Sequence, residues 1–147
     1  MSTRPGVEDR LDRTLAALTG AALVGHRGSR RLVVSRAGVF VLDPALDGIP
    51  IALASAARLA ADTRDLLTEH LTWVPFVDWL VVSDDGEGFE GPVVPHDLVA
   101  STVLQGHAVD PGTVRRISAL LESGALAPSW HADLPRAGDG PTLMRRG

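Results

Sequence analysis

Residues 30–43, RRLVVSRAGVFVLD, constrain the fold more than any other stretch of this chain. Two apolar, β-branched runs, 32–34 and 39–42, flank residues 35–38, whose serine and glycine have turn chemistry, so the spacing predicts a β-hairpin. Successive strand residues point to opposite faces of a sheet. Because residues 39–42 are apolar at every position, both faces of that strand need cover, which predicts a central strand with helices on each side. The run ends in Asp43, and Pro44 follows at once. Proline pushes the preceding residue out of the α region, so the strand gives way to a loop there.

The remaining elements follow from periodicity and punctuation. Val7, Leu11, Leu15 and Leu18 recur at helical spacing ahead of Gly20, predicting a first helix. Residues 21–43 then carry two or three strands, broken at HRGS and SRAG. Residues 43–50, DPALDGIP, read as a loop in which Gly48 and Pro50 bracket a turn. Residues 52–71 form a long amphipathic pattern, and residues 77–82 a buried strand that runs into the acidic loop SDDGEGFEG. A short strand in GPVV precedes a short helix begun near His96 or Asp97. Asp110 as N-cap, Pro111 in the first turn and Gly124 as stop delimit a last helix. The order α, three β, α, β, β, α, α reads as an α/β domain, a mixed β-sheet flanked by helices. One domain over residues 1–127 accounts for it. The Pro- and Gly-rich stretch 128–147 lacks periodicity and reads as an extended or disordered tail.

Composition removes several classes of function. The 147 residues include no cysteine, hence no disulfide, thiolate metal site or cysteine nucleophile. All 14 basic residues are arginine, so any chemistry needing a lysine within this chain is excluded. The Ala, Gly, Arg, Val and Leu richness matches a high-GC bacterial protein. A net charge of −4 argues against a dedicated non-specific nucleic-acid binder, though not against a local basic patch formed by Arg27, Arg30, Arg31 and Arg36. No apolar run is long enough to span a bilayer, and the charged N-terminal residues do not resemble a signal peptide, which points to a cytoplasmic protein.

Few residue clusters suggest chemistry. Asp84, Asp85, Glu87 and Glu90 lack the ligand spacing of a calcium loop and read as solvated. The five histidines show no metal-ligand spacing. Trp73, Phe76, Trp79 and Phe89 read as packing beside a buried strand in preference to a stacking platform for bases or partners. Asp43 reads as a strand-end carboxylate that caps the following turn and pairs with Arg30 or Arg31 across the hairpin, in preference to a metal ligand.

The opening helix GVEDRLDRTLAAL, the hairpin LVVSRAGVFVLD, the helix LASAARLAADTRDLLTEHL with the strand VDWLVVSDDG, and the closing GPVVPHDLVASTVLQ and DPGTVRRISALLES together resemble the nuclease-related domain (NERD) family. That family is a branch of the restriction-endonuclease-like PD-(D/E)xK fold, and the resemblance covers roughly residues 5–125. It implies catalysis by an acid on the first hairpin strand, an aspartate ending the second, and a lysine two residues beyond. The carboxylates would hold Mg²⁺ or Mn²⁺, while the lysine would position the attacking water. Position by position, Asp43 matches the aspartate and Glu8 the glutamate of the opening helix, while Arg30 stands for the first acid and Ala45 for the lysine. An arginine places a fixed positive charge where a cation would bind. The resemblance therefore implies a degenerate member without hydrolytic activity, a pseudoenzyme needing no cofactor that acts as a binding or structural module, with nucleic acid or protein as partner. Two alternatives are an active metal-dependent endonuclease using Glu8 and Asp43, and a homo-oligomer joined through a sheet edge or the tryptophan region.

Overall fold

In a computed structural model, residues 7–18, 22–84 and 92–132 are described, with side chains from Arg10 onward. They form α1 (Val7–Ala16), β1 (Ala22–Arg27), β2 (Arg30–Ser35), β3 (Gly38–Asp43), α2 (Ile49–Thr68), β4 (Val77–Val82), β5 (Val93–Val94), α3 (His96–Leu104), α4 (Pro111–Glu122) and β6 (His131–Ala132). The strands join in one mixed sheet of order β5-β4-β3-β2-β1-β6. The expected α/β architecture is present.

The hairpin forms where the turn chemistry puts it. β2 pairs antiparallel with β3 from Ser35↔Gly38 to Arg31↔Leu42. The Ser35 hydroxyl stabilises the turn by accepting the Ala37 N–H (3.1 Å) and donating to the Val103 carbonyl. β1 pairs antiparallel with β2, whereas β4 runs parallel to β3. A parallel neighbour cannot be reached by a tight turn, and α2 supplies the crossover.

All six residues of β3 are buried. Alternation divides their cover between two layers. Leu32, Val34, Val39, Val41 and Val77 meet Ala56, Leu59, Ala60 and Leu67 of α2 and Ile117 and Leu121 of α4. On the other face Val33, Phe40, Leu42, Leu80 and Val82 meet Leu11 and Leu15 of α1 and Val99 and Val103 of α3.

Helix ends follow the expected signals at α4. Asp110 accepts the Thr113 N–H (3.0 Å) and hydroxyl (2.7 Å), Pro111 sits in the first turn, and Gly124 takes a positive φ of 84°. At α2 the start differs from expectation. The helix begins at Ile49, and Pro50 lies in its first turn instead of closing a loop. Proline has no N–H to donate, and a first-turn residue needs none, so the ring fits there.

The fold also extends past residue 127. Trp130 is fully buried, its Nε1 donating to Thr63 Oγ1 (2.9 Å), and His131–Ala132 pair with Gly25 and His26 of β1. Residues 128–132, assigned to the tail by their composition, thus close the core and one sheet edge. The rest of that stretch lies outside the described residues. Trp130→Ala is expected to cost about 3–5 kcal/mol. Thr63→Val, which strands a buried indole N–H, should cost about 1–3 kcal/mol. Urea denaturation checks both, and near-neutral results would contradict the packing described.

Candidate functional site

The hairpin register fixes the centre of the expected site. With Arg31 opposite Leu42, one further step sets Arg30 opposite Asp43. Arg30 Nε donates to Asp43 Oδ2 at 3.0 Å, and Arg30 Nη2 donates to Ser55 Oγ of α2. Asp43 is buried, and its other oxygen accepts the Ala45 N–H at 2.9 Å. The carboxylate therefore performs both tasks read from the sequence, capping the turn and pairing across the hairpin, and Arg30 is the partner. Ala45 sits at φ 59°, a left-handed conformation that costs an L-residue about 1–2 kcal/mol. A lysine at that position would inherit the strain.

Arg31 is committed elsewhere. Being one residue on, it projects from the opposite face, where it is almost wholly buried. Its Nε and Nη2 engage Asp12 Oδ1 and Oδ2 of α1 (2.8 and 3.1 Å) in a two-pronged pair, and Nη1 donates to the Gly28 and Arg30 carbonyls (2.7 and 2.9 Å). A planar guanidinium suits such a fork, and the added carbonyls satisfy donors that burial would otherwise strand.

The four arginines expected to form a basic patch are only partly brought together: Arg27 and Arg30 are cross-strand neighbours, whereas Arg31 points to the other face and Arg36 lies apart. Arg27, opposite Arg30 in the register, is exposed, with Nη1 on the Ser129 carbonyl (3.4 Å). Arg36 lies at the far end of β2, its Nε on the Val109 carbonyl (3.4 Å). The side chain of Glu8 and residues Asp85, Glu87, Phe89 and Glu90 lie outside the described residues. Among the described residues no group of three or more histidine and acidic side chains could hold a metal ion.

Asp84, read as part of a solvated loop, has a structural task. Its Oδ1 accepts the His96 N–H (2.9 Å), capping α3 from the end of β4, because Pro95 at the N-cap offers no side-chain acceptor. Its Oδ2 pairs with Arg10 of α1 and lies 3.3 Å from His96 Nδ1. The His96 ring is buried and, among the described residues, neither nitrogen has an aligned hydrogen-bond partner. The His96 backbone N–H holds the Asp84 carboxyl below the usual aspartate range; the adjacent imidazole and guanidinium add to this, and burial opposes it.

The aromatic region divides. Trp79 is half-buried against the α2 layer, as packing residues should be, but Trp73 is 56% and Phe76 70% exposed, contrary to the expectation of core and rim packing. They stand in the segment between α2 and β4, next to Pro75. Sequence reasoning missed Asp12 and Ser55 as partners of the arginines, since neither stands out by spacing.

No family model matches the chain, and no curated protein or solved structure matches it. No helix among the described residues is long and apolar enough to cross a membrane.

Two measurements check this geometry. Asp43→Ala should destabilise more than Asp43→Asn, by about 0.5–1.5 kcal/mol, because asparagine keeps an acceptor for the Ala45 N–H. Equal losses would show that the turn cap contributes nothing. For Asp84, whose folded pKa is depressed, the stabilisation is present above the unfolded value of about 3.9 and lost as pH falls below it. The gap between wild type and Asp84→Asn, no more than about 1 kcal/mol at this exposed pair, should therefore shrink between neutral pH and pH about 3. A gap unchanged across that window would remove Asp84 as its source.

Proposed function

We propose that this chain is a nuclease-related domain in which an ion pair replaces the metal site of the resembled family, serving as a non-catalytic binding or structural module. The observation that carries the reading is the commitment of Asp43. One of its oxygens faces the Arg30 guanidinium and the other the Ala45 N–H. A divalent cation at this carboxylate would have to displace an arginine or share the site with it, and like charges a few ångströms apart in a part-buried place repel strongly. The residues present do not fit a metal-dependent hydrolytic centre. The element order and the parallel β3–β4 crossover through α2 accord with the resemblance, as does the hairpin ending in Asp43.

The same geometry favours a binding role that does not depend on a basic surface. Arg31 is spent inside the fold, and Arg27 and Arg36 lie at opposite ends of the β1–β2 pair. Purified protein incubated with single- and double-stranded DNA and Mg²⁺ or Mn²⁺ is expected to cleave neither above the level of Asp43→Ala. Metal-dependent cleavage abolished by that substitution would establish the active-enzyme alternative instead.

A further inference from the structure

At the end of β3 remote from Asp43 lies a cleft of about 380 Å³. Five residue steps at about 3.3 Å each put it roughly 16 Å from the Arg30–Asp43 pair. Gly38, Val39 and Phe40 form its floor, Trp73, Pro75 and Phe76 one wall, and Ala108 and Val109 the other. Asp78 is its single charged lining residue and the register neighbour of Phe40, so the carboxylate and the ring share a face of the sheet. Oδ1 of Asp78 accepts the Trp79 N–H (2.9 Å), and Oδ2 has no partner among the described residues. A Cβ on Gly38, whose φ is +154°, would come within 3.3 Å of the Phe40 ring, so glycine keeps the floor open.

We propose that this cleft is a binding site for a guanidinium group, of the kind an arginine side chain of a peptide partner presents. The volume is that of a small-ligand site. Two of its lining side chains, Trp73 and Phe76, are exposed aromatics, and a cation is attracted to the face of such a ring. A guanidinium also stacks flat on such faces while its fork reaches a carboxylate, which a compact ammonium cannot do. Other occupants fit less well. A phosphate-bearing ligand would set like charge against Asp78, and a purely apolar one would desolvate that carboxylate without a partner. The chain's own Arg36 flanks the outer wall with its Nε on the Val109 carbonyl, and it is not among the lining residues.

The test is a titration of the full chain with N-acetyl-argininamide, read from the indole N–H resonance of Trp73 in ¹H–¹⁵N spectra. A saturable shift is expected, with little or none from the glutamine and glutamate analogues. Asp78→Asn, which keeps an acceptor for the Trp79 N–H, should weaken binding about tenfold, and Trp73→Ala, followed through the backbone amide resonances of Gly38 and Val109, should abolish it, with resonances remote from the cleft unmoved. The proposal is overturned by no shift, by an equal shift with the glutamine analogue, or by unchanged affinity in Asp78→Asn. It is also overturned if the Trp73 resonance moves with protein concentration alone, since a second copy would then be the occupant.

Discussion

The burial of β3 on both faces is the constraint on which the rest of the structure depends. A strand with six covered residues requires a layer of helices on each side and a neighbour along each edge. β2 meets one edge through a two-residue turn; the other edge is met in parallel by β4, and that pairing requires α2 as a crossover. Side-chain parity then decides which layer receives each residue. A slip of one residue would send Val39 and Val41 to the α1–α3 side and Phe40 and Leu42 to the α2–α4 side, exchanging small β-branched residues for larger ones in two cores already packed.

The same parity governs the charged end of the hairpin. Arg30 and Arg31 are adjacent in sequence and identical in type, yet alternation sends one to Asp43 and α2 and the other to Asp12 and α1. Each anchors a different helical layer to the sheet. For Arg31 the buried guanidinium tolerates desolvation because a carboxylate and two carbonyls meet its donors. Removing Asp12 would deprive the buried Nε and Nη2 of their carboxylate, so losing one partner costs more than the intact pair contributes.

Much of this was legible in the residues. The apolar hairpin, its turn and the alternation of 39–42 fix the sheet centre, and Asp110, Pro111 and Gly124 mark α4 because capping is a local interaction. The pairing of Asp43 with one of two arginines was also readable, since strand register is short-range information. What was not legible depends on contacts distant in sequence. Asp12 looks like any exposed helix aspartate until α1 packs on β2, and Trp130 sits in a Pro- and Gly-rich context that conceals its place against Thr63. Pro50 misled because proline closes a turn and opens a helix with the same φ. Trp73 and Phe76 misled because aromatic residues near a buried strand are usually core, whereas these two stand just ahead of β4 and are exposed.

The two ends of β3 therefore stand in opposite states. At its carboxyl end, where open α/β sheets commonly bind ligands, the carboxylate is paired, the turn is capped and the guanidinium is bonded to α2. Little free energy remains there for a ligand, because each polar contact a ligand made would replace one already formed. At the amino end two aromatic rings are left to solvent beside a carboxylate with one unoccupied oxygen. Covering those rings removes apolar area from water without breaking any internal contact, so binding free energy is available at that end. The two ends of one strand thus differ in what they leave open: about 16 Å separates a carboxylate whose contacts are all made from an aromatic cleft that keeps uncovered surface and a carboxylate oxygen with no partner among the described residues.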